Sequence, residues 1–292
     1  MRRRLVAAAS MVAAAARGAA PPPPVALRVV ASFSILADLA RVVAGEDASV
    51  AALVGPDADV HVFEPTPADA RRVRDADLLV VNGLHFEGWL DRLLEAAQYR
   101  GRLVVASDGI VPRRRGNAID PHAWQDLRNT RRYVENLRAA LSLAAPLKAA
   151  DFARRAAAYE VALGELDARV RARLSAIPPT ARRVITTHDA FGYLGAAYGI
   201  EFLALQGWST DAEPNASDVA RLIELARQAR VRAIFVENIS DPRLAQRISA
   251  EAGVPVAATL YSDALSRPGT EADTFLRMFE HNADALAAAL GA

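Results

Sequence analysis

Cysteine is absent from all 292 residues. No disulfide can brace such a chain, no thiolate can act as nucleophile or metal ligand, and no acceptor exists for a thioether-linked lipid. An excess of either charge is also missing: 35 Lys+Arg stand against 34 Asp+Glu, a net charge of +1. That balance argues against broad electrostatic binding to nucleic acid or anionic membrane, which needs a clustered basic surplus. Aromatic residues make up 6% of the chain, which weighs against a wide cleft walled with rings. No apolar run reaches the roughly 20 residues of a permanent membrane span. Sequence repeats and polar low-complexity linkers are absent as well. What remains is ample apolar material, 52% of residues, enough for one large domain or two of ordinary size, and the length favours two.

Residues 1–20 read as a secretory signal peptide. Arg2, Arg3 and Arg4 form a positive start, an apolar run follows from Leu5 to Ala16, and Gly18, Ala19 and Ala20 supply small residues near a cleavage point. The competing explanation is a disordered Ala-rich tail. Export without cysteine predicts a chain soluble in a periplasm after signal removal, with no lipid anchor and stability supplied by core packing alone; a monomer is expected. Pro21 to Pro24 then make a stiff, extended lead-in.

The first half alternates β-branched runs with amphipathic stretches. Strands are predicted at Leu27–Phe33, Val50–Val54, Leu78–Asn82 and Leu103–Ser107, with helical segments at Ile35–Val43, Ala68–Asp75 and Trp89–Ala97. Such alternation implies parallel strands joined by right-handed crossovers and covered on both faces. From Lys148 to Ala176 the pattern becomes one long helix. Its larger apolar residues, Phe152, Tyr159, Leu163, Leu166, Val170 and Leu174, share one face, and Pro178-Pro179 end it. The alternation then resumes, with strands at Arg183–Thr187, Phe202–Gln206, Ala233–Glu237 and Val256–Leu260. Helices are predicted at Phe191–Tyr198, Ser217–Ala229, Pro242–Ala252 and Thr270–Leu290. The resulting fold class is α/β: two similar lobes of mainly parallel sheet flanked by helices, joined by one rigid helix. Residues 21–147 form the first lobe, 148–177 the connector and 178–292 the second lobe.

Three of the five histidines stand in turn-rich surroundings beyond predicted strands: His61, His122 and His188. Asp263 follows the last strand in the same way. Ligands of open α/β sheets bind outside the carboxyl ends of the strands, so each lobe offers two candidates from one edge. Singly, each histidine is better explained as a hydrogen-bonded packing residue, and Asp263 equally well as a cap for the short segment after it. Together they supply three imidazoles and a carboxylate, a complete four-coordinate shell for a transition metal in a chain without thiols. His85 is placed on the rim of the cleft or behind the ligands, and His281 on the surface of the last helix.

The segments carrying these residues resemble the zinc/manganese ABC-transporter solute-binding family. Asp59-Val-His61-Val-Phe-Glu64-Pro65-Thr-Pro67 is similar to the first metal motif, although Val60 stands where the family usually has proline. Asp120-Pro-His122-Ala-Trp124-Gln-Asp126 resembles the second, with Gln125 at a common leucine position, and Thr187-His188-Asp189-Ala-Phe191-Gly-Tyr193 the third. Asp263 in Leu-Tyr-Ser-Asp occupies the fourth place, and Asn82-Gly-Leu and Glu213-Pro214 match further landmarks. The resemblance implies a buried cation between the lobes and its delivery to a membrane permease driven by an ATPase. Many zinc-specific members carry a His-rich loop before the second motif. Here that stretch is Val111-Pro-Arg-Arg-Arg-Gly-Asn-Ala-Ile, which is short and basic.

An N₃O donor set suits tetrahedral zinc, whereas manganese prefers more oxygen. Manganese-specific members of the family often have glutamate at the place of His188, which also favours zinc, with manganese the alternative. No catalytic residue is assigned. Two other readings remain open at this stage: a secreted zinc metallohydrolase, and a helix-linked receptor for a metal chelate such as a siderophore. The first would need an open coordination position and a general base.

Overall fold

The computed structural model describes residues 27–291, apart from 213, 229 and 230. The signal peptide and prolyl lead-in expected before residue 27 lie outside the described residues, as does Glu213.

The first half contains β1 (Leu27–Phe33), α1 (Ser34–Ala44), β2 (Ala48–Val54), α2 (Pro67–Arg74), β3 (Leu78–Val81), α3 (Leu90–Ala97) and β4 (Arg102–Val105). Its sheet is wholly parallel, in the order β2-β1-β3-β4. The central strand β3, Leu-Leu-Val-Val, is buried at every position, as expected of a strand covered on both faces. Local chemistry sets the start of α2: Thr66 and Asp69 cap each other reciprocally and Pro67 opens the first turn.

A two-residue-per-strand hairpin follows, β5 (Arg114–Arg115) and β6 (Ala118–Ile119), then α4 (Leu127–Ala144) and α5 (Ala149–Ser175). Neither the hairpin nor α4 was among the elements predicted. The buried residues of α4, Leu127, Thr130, Tyr133, Val134, Leu137 and Leu141, have clear helical spacing. Asp126 caps the helix by accepting from the Arg128 amide at 2.9 Å. The connector α5 buries the face predicted for it and runs about 40 Å at 1.5 Å per residue.

The second half contains β7 (Arg183–Thr186), α6 (Gly192–Tyr198), β8 (Glu201–Ala204), α7 (Ala216–Gln228), β9 (Ala233–Glu237), α8 (Pro242–Ala252), β10 (Val256–Leu260) and α9 (Phe275–Leu290). These strands are also parallel, in the order β10-β9-β7-β8. Helix α9 starts later than Thr270. Thr274 is its cap, and the Phe275 amide donates to the Asp38 carboxylate at 2.8 Å, so the first turn is tied to α1.

The two lobes share their main core. One apolar cluster runs from β1 and β3 through α1, α4 and α5 to α9 and β10, and includes Phe33, Trp124, Phe152, Leu163, Phe275 and Phe279. A smaller cluster, with Ile185, Leu222, Ile234 and Ile248, fills the far side of the second sheet beneath α7 and α8. Helix α9 contacts both α5 and α1, so the last described element packs on the first described helix. Each buried Leu or Phe in this shared core contributes roughly 1.5–3 kcal/mol relative to exposure. Separating the lobes would forfeit many such contributions.

Candidate metal centre

His188 lies just past the end of β7, the strand between β9 and β8, and Asp263 follows β10. His61 sits in the turn-rich stretch after β2. His122 begins the 3₁₀ turn Ala123–Gln125 that leads into α4. Tertiary folding brings ligand-capable atoms of these four residues within 4.8 Å of one another. Asp263 is the hub. Its Oδ2 lies 3.2 Å from His61 Nε2 and 3.1 Å from His188 Nε2, and its Oδ1 lies 3.6 Å from His122 Nε2. The side chains of His122, His188 and Asp263 are fully buried and that of His61 is 4% exposed.

Two imidazoles are held from behind. Asp120 Oδ1 accepts from the His122 amide at 3.0 Å and lies 2.9 Å from its Nδ1. Glu237, at the end of β9, accepts from Thr187 Oγ1 at 2.5 Å and from the His188 amide at 2.8 Å, and its Oε2 lies 2.5 Å from His188 Nδ1. A carboxylate at Nδ1 holds the proton there and leaves Nε2 free to coordinate. Asp59 begins the His61 motif in the same manner, accepting from the His61 amide at 2.8 Å. Its other oxygen, however, accepts from Thr210 Oγ1 of the second lobe at 2.5 Å.

The loop of Asp263 is gripped by the first lobe. Trp124 Nε1 and the Gln125 side-chain amide both donate to the Ser262 carbonyl, at 3.0 and 2.9 Å. Ser34 Oγ accepts from the Leu265 amide at 2.9 Å. The apolar wall consists of Phe86, 4.9 Å from the His61 ring, and Trp124, 5.3 Å from that of His122. Neither ring was singled out from the sequence, although a tryptophan inside a ligand motif was an available signal. The histidine next to Phe86 attracted attention instead. His85 is exposed, has a left-handed φ of 63°, and does not belong to the cluster. His281 is partly buried on α9, with Nε2 3.1 Å from the Thr259 carbonyl.

Charge in the site is tightly coupled. Burial works against protonation of His122, but Asp263 and Asp120 outweigh it and push the imidazole up to about 9. His188 is held well above the usual histidine value by Glu237 and Asp263, again against burial. Burial opposes ionisation of Asp263, yet His188 and His122 hold it well below the usual carboxylate value. The acids thus favour the protonated form of His122 and His188 where a cation would otherwise neutralise them. Meanwhile His61 Nε2, His122 Nε2 and Asp263 Oδ1 have no hydrogen-bond partner. Buried polar atoms left unpaired cost about 1–3 kcal/mol each. Three of them converging on one point fit a cation bound by nitrogen and carboxylate oxygen.

The zinc-uptake complex component A family, described as periplasmic, matches residues 29–289. Manganese-binding lipoprotein MntA of Halalkalibacterium halodurans is 32% identical over 265 residues, 90% of this chain and 88% of that protein. Iron-binding protein YfeA of Yersinia pestis is also 32% identical, over 270 residues, 90% of this chain and 86% of that one. Among solved structures, the periplasmic zinc-binding protein TroA of Treponema pallidum superposes with a TM-score of 0.87 at 31% identity, covering 91% of this chain and 99% of its own. These proteins are named for the metals they bind, and for three different metals at similar identity. Such a match over nearly the whole described chain leads to one conclusion: the protein belongs to the zinc-uptake complex component A family of metal-binding proteins.

Proposed function

We propose that this chain captures a divalent transition metal through His61, His122, His188 and Asp263 and hands it to an ABC-transporter permease for uptake, with zinc favoured over manganese. The observation that carries this reading is the convergence of three imidazole nitrogens and one carboxylate within 4.8 Å, in a pocket where three of the donor atoms have no other partner. An arriving dication exchanges its waters for these donors. Asp263 offsets one of its charges directly, and Asp120 and Glu237 add negative charge behind two of the imidazoles. The ion displaces the protons that His122 and His188 hold without it. Four donors close the shell, which suits holding and releasing an ion rather than activating water. The relatives are named as binding proteins rather than enzymes, and no observation favours a hydrolase or a chelate receptor.

The division into lobes at 21–147 and 178–292 around a connector at 148–177 belongs to the same proposal. So does a soluble periplasmic monomer without lipid anchor. MntA is named as a lipoprotein, whereas this sequence contains no cysteine to accept the lipid. Light scattering of the purified protein and cell fractionation test these points; a dimer, or membrane-bound material, would refute them. The central test is competitive zinc and manganese titration of metal-stripped protein. Zinc should win, and His188→Ala should abolish tight binding. Unchanged zinc affinity in that variant would sink the ligand assignment.

A further inference from the structure

A closed shell must open for the ion to come and go, and the structure argues against opening by separation of the lobes. The shared apolar core, the connector α5 and the docking of α9 on α1 all cross between the lobes. A continuous apolar core of this kind resists relative domain motion. Exchange therefore has to come from local movement of one ligand-bearing segment. Three of the four are poorly suited. His122 is held by Asp120, His188 by Glu237, and the Asp263 loop by Trp124, Gln125 and Ser34.

His61 differs. Among the described residues no carboxylate is found behind its ring, its side chain is the only one of the four not fully buried, and the residue after it, Val62, is 54% exposed. On the inner side the turn is pinned: Val60 is fully buried and its carbonyl accepts from Trp89 Nε1 at 2.9 Å. A cavity of about 770 Å³ lies against the outer side, lined by Asp59, Val62, Thr187, Gln206, Thr210 and Ser240 among others. Its wall thus includes Asp59 and Val62, which flank the His61 turn, and Thr187, the residue preceding His188. Two of the lining residues are bonded to each other: the Asp59 carboxylate receives the Thr210 hydroxyl at 2.5 Å, which joins the His61 turn to the second lobe.

Building on the ligand assignment proposed above, we infer that metal exchanges with solvent through this cavity by outward displacement of His61, and that the Asp59–Thr210 hydrogen bond is the latch that limits the rate. Asp59 and Thr210 are positioning residues: they touch the turn, not the ion. A latch of this kind sets the rates in both directions and leaves the filled site unchanged. Its loss should accelerate capture and release together.

The test is stopped-flow exchange of Zn²⁺ against a chelator, with Co²⁺ absorption reporting coordination. Thr210→Val removes the donor at nearly constant shape, and Asp59→Asn weakens the acceptor. Both should raise the dissociation rate about tenfold, the effect of losing a hydrogen bond to a charged group. The Kd should stay within about threefold and the Co²⁺ spectrum of the loaded protein should not change. Arg115→Gln is the control on another side of the site, where Arg115 pairs with Asp189 and lies over the Trp208 ring; it should leave the rate within twofold. The latch is overturned if Thr210→Val and Asp59→Asn both exchange at the original rate, or if Arg115→Gln speeds exchange as much as they do. A separate result bears on the ligands themselves. If the unmodified protein gives no four-coordinate Co²⁺ spectrum, or His188→Ala retains it, the site assignment falls whatever the rates.

Discussion

The two sheets are wound alike, β2-β1-β3-β4 and β8-β7-β9-β10, yet they present their histidines differently. His188 leaves β7, which lies between two neighbours, and Glu237 at the tip of adjacent β9 stands directly behind it. His61 leaves β2, an edge strand, through a turn-rich run, and the carboxylate in its own motif faces the other lobe. A strand flanked on both sides inherits partners from both. An edge strand does not. The same winding therefore yields one rigidly buttressed ligand and one that can move.

The largest effect should come from removing the buttressed ligand. His188→Ala should lower zinc affinity by more than about a hundredfold, exceeding the loss that follows removal of an outer partner. Isothermal titration measures it, and a loss no greater than that of Glu237→Gln would erase the distinction between ligand and support. Glu237→Gln and Asp120→Asn come next, each costing about 10- to 100-fold in affinity. Asp59→Asn should cost only a few-fold, because Asp59 does not face a ring nitrogen. Equal losses at all three acids would break the comparison.

The third prediction concerns pH. In the metal-free protein His122 is pushed up to about 9, and its acidic partners hold His188 well above the usual histidine value. The sign follows directly: protonated imidazole cannot coordinate, so affinity should rise with pH from 6 towards 9, by about tenfold per pH unit for each proton displaced. Titration in two buffers of different ionisation heat should find proton release near pH 7, and none would contradict the coupling.

The smallest effect tests the core that the two lobes share. Burial raises the Asp38 carboxyl to about 6, against the favourable bond from the Phe275 amide. A raised carboxyl value means stability is fully present below the unfolded value near 4 and is lost as pH rises through about 6. A shift of about two units corresponds to about 3 kcal/mol. Asp38→Asn retains the acceptor without the charge, so it should melt higher than the parent at pH 7 and not at pH 4. Equal melting at both pH values would count against a buried charge at the α1–α9 contact.

Much of this molecule could be read before its structure was known. All eight principal strands were legible from their β-branched runs, three of them to the residue, because a sheet covered on both faces demands continuous apolar segments. The connector was legible from one apolar face punctuated by prolines. Helix α4 escaped because it breaks the alternation of strand and helix, although Leu127, Thr130, Val134, Leu137 and Leu141 have the spacing of a buried face. Phe86 and Trp124 were overlooked because a search by ligand chemistry passes over the rings that exclude water from the site.

The four candidate ligands and the sheet edges that carry them followed from residue type and from position after a strand, both local properties of the chain. The roles of Asp120, Glu237 and Asp59 did not. Asp-x-His occurs at both His61 and His122, and nothing in the motif tells which acid will sit behind its own ring and which will reach across to Thr210. Glu237 lies 49 residues from His188 in sequence and meets it only because β9 pairs with β7. Contacts of that kind depend on which strands become neighbours and how the two lobes share a core, and only the folded chain settles them.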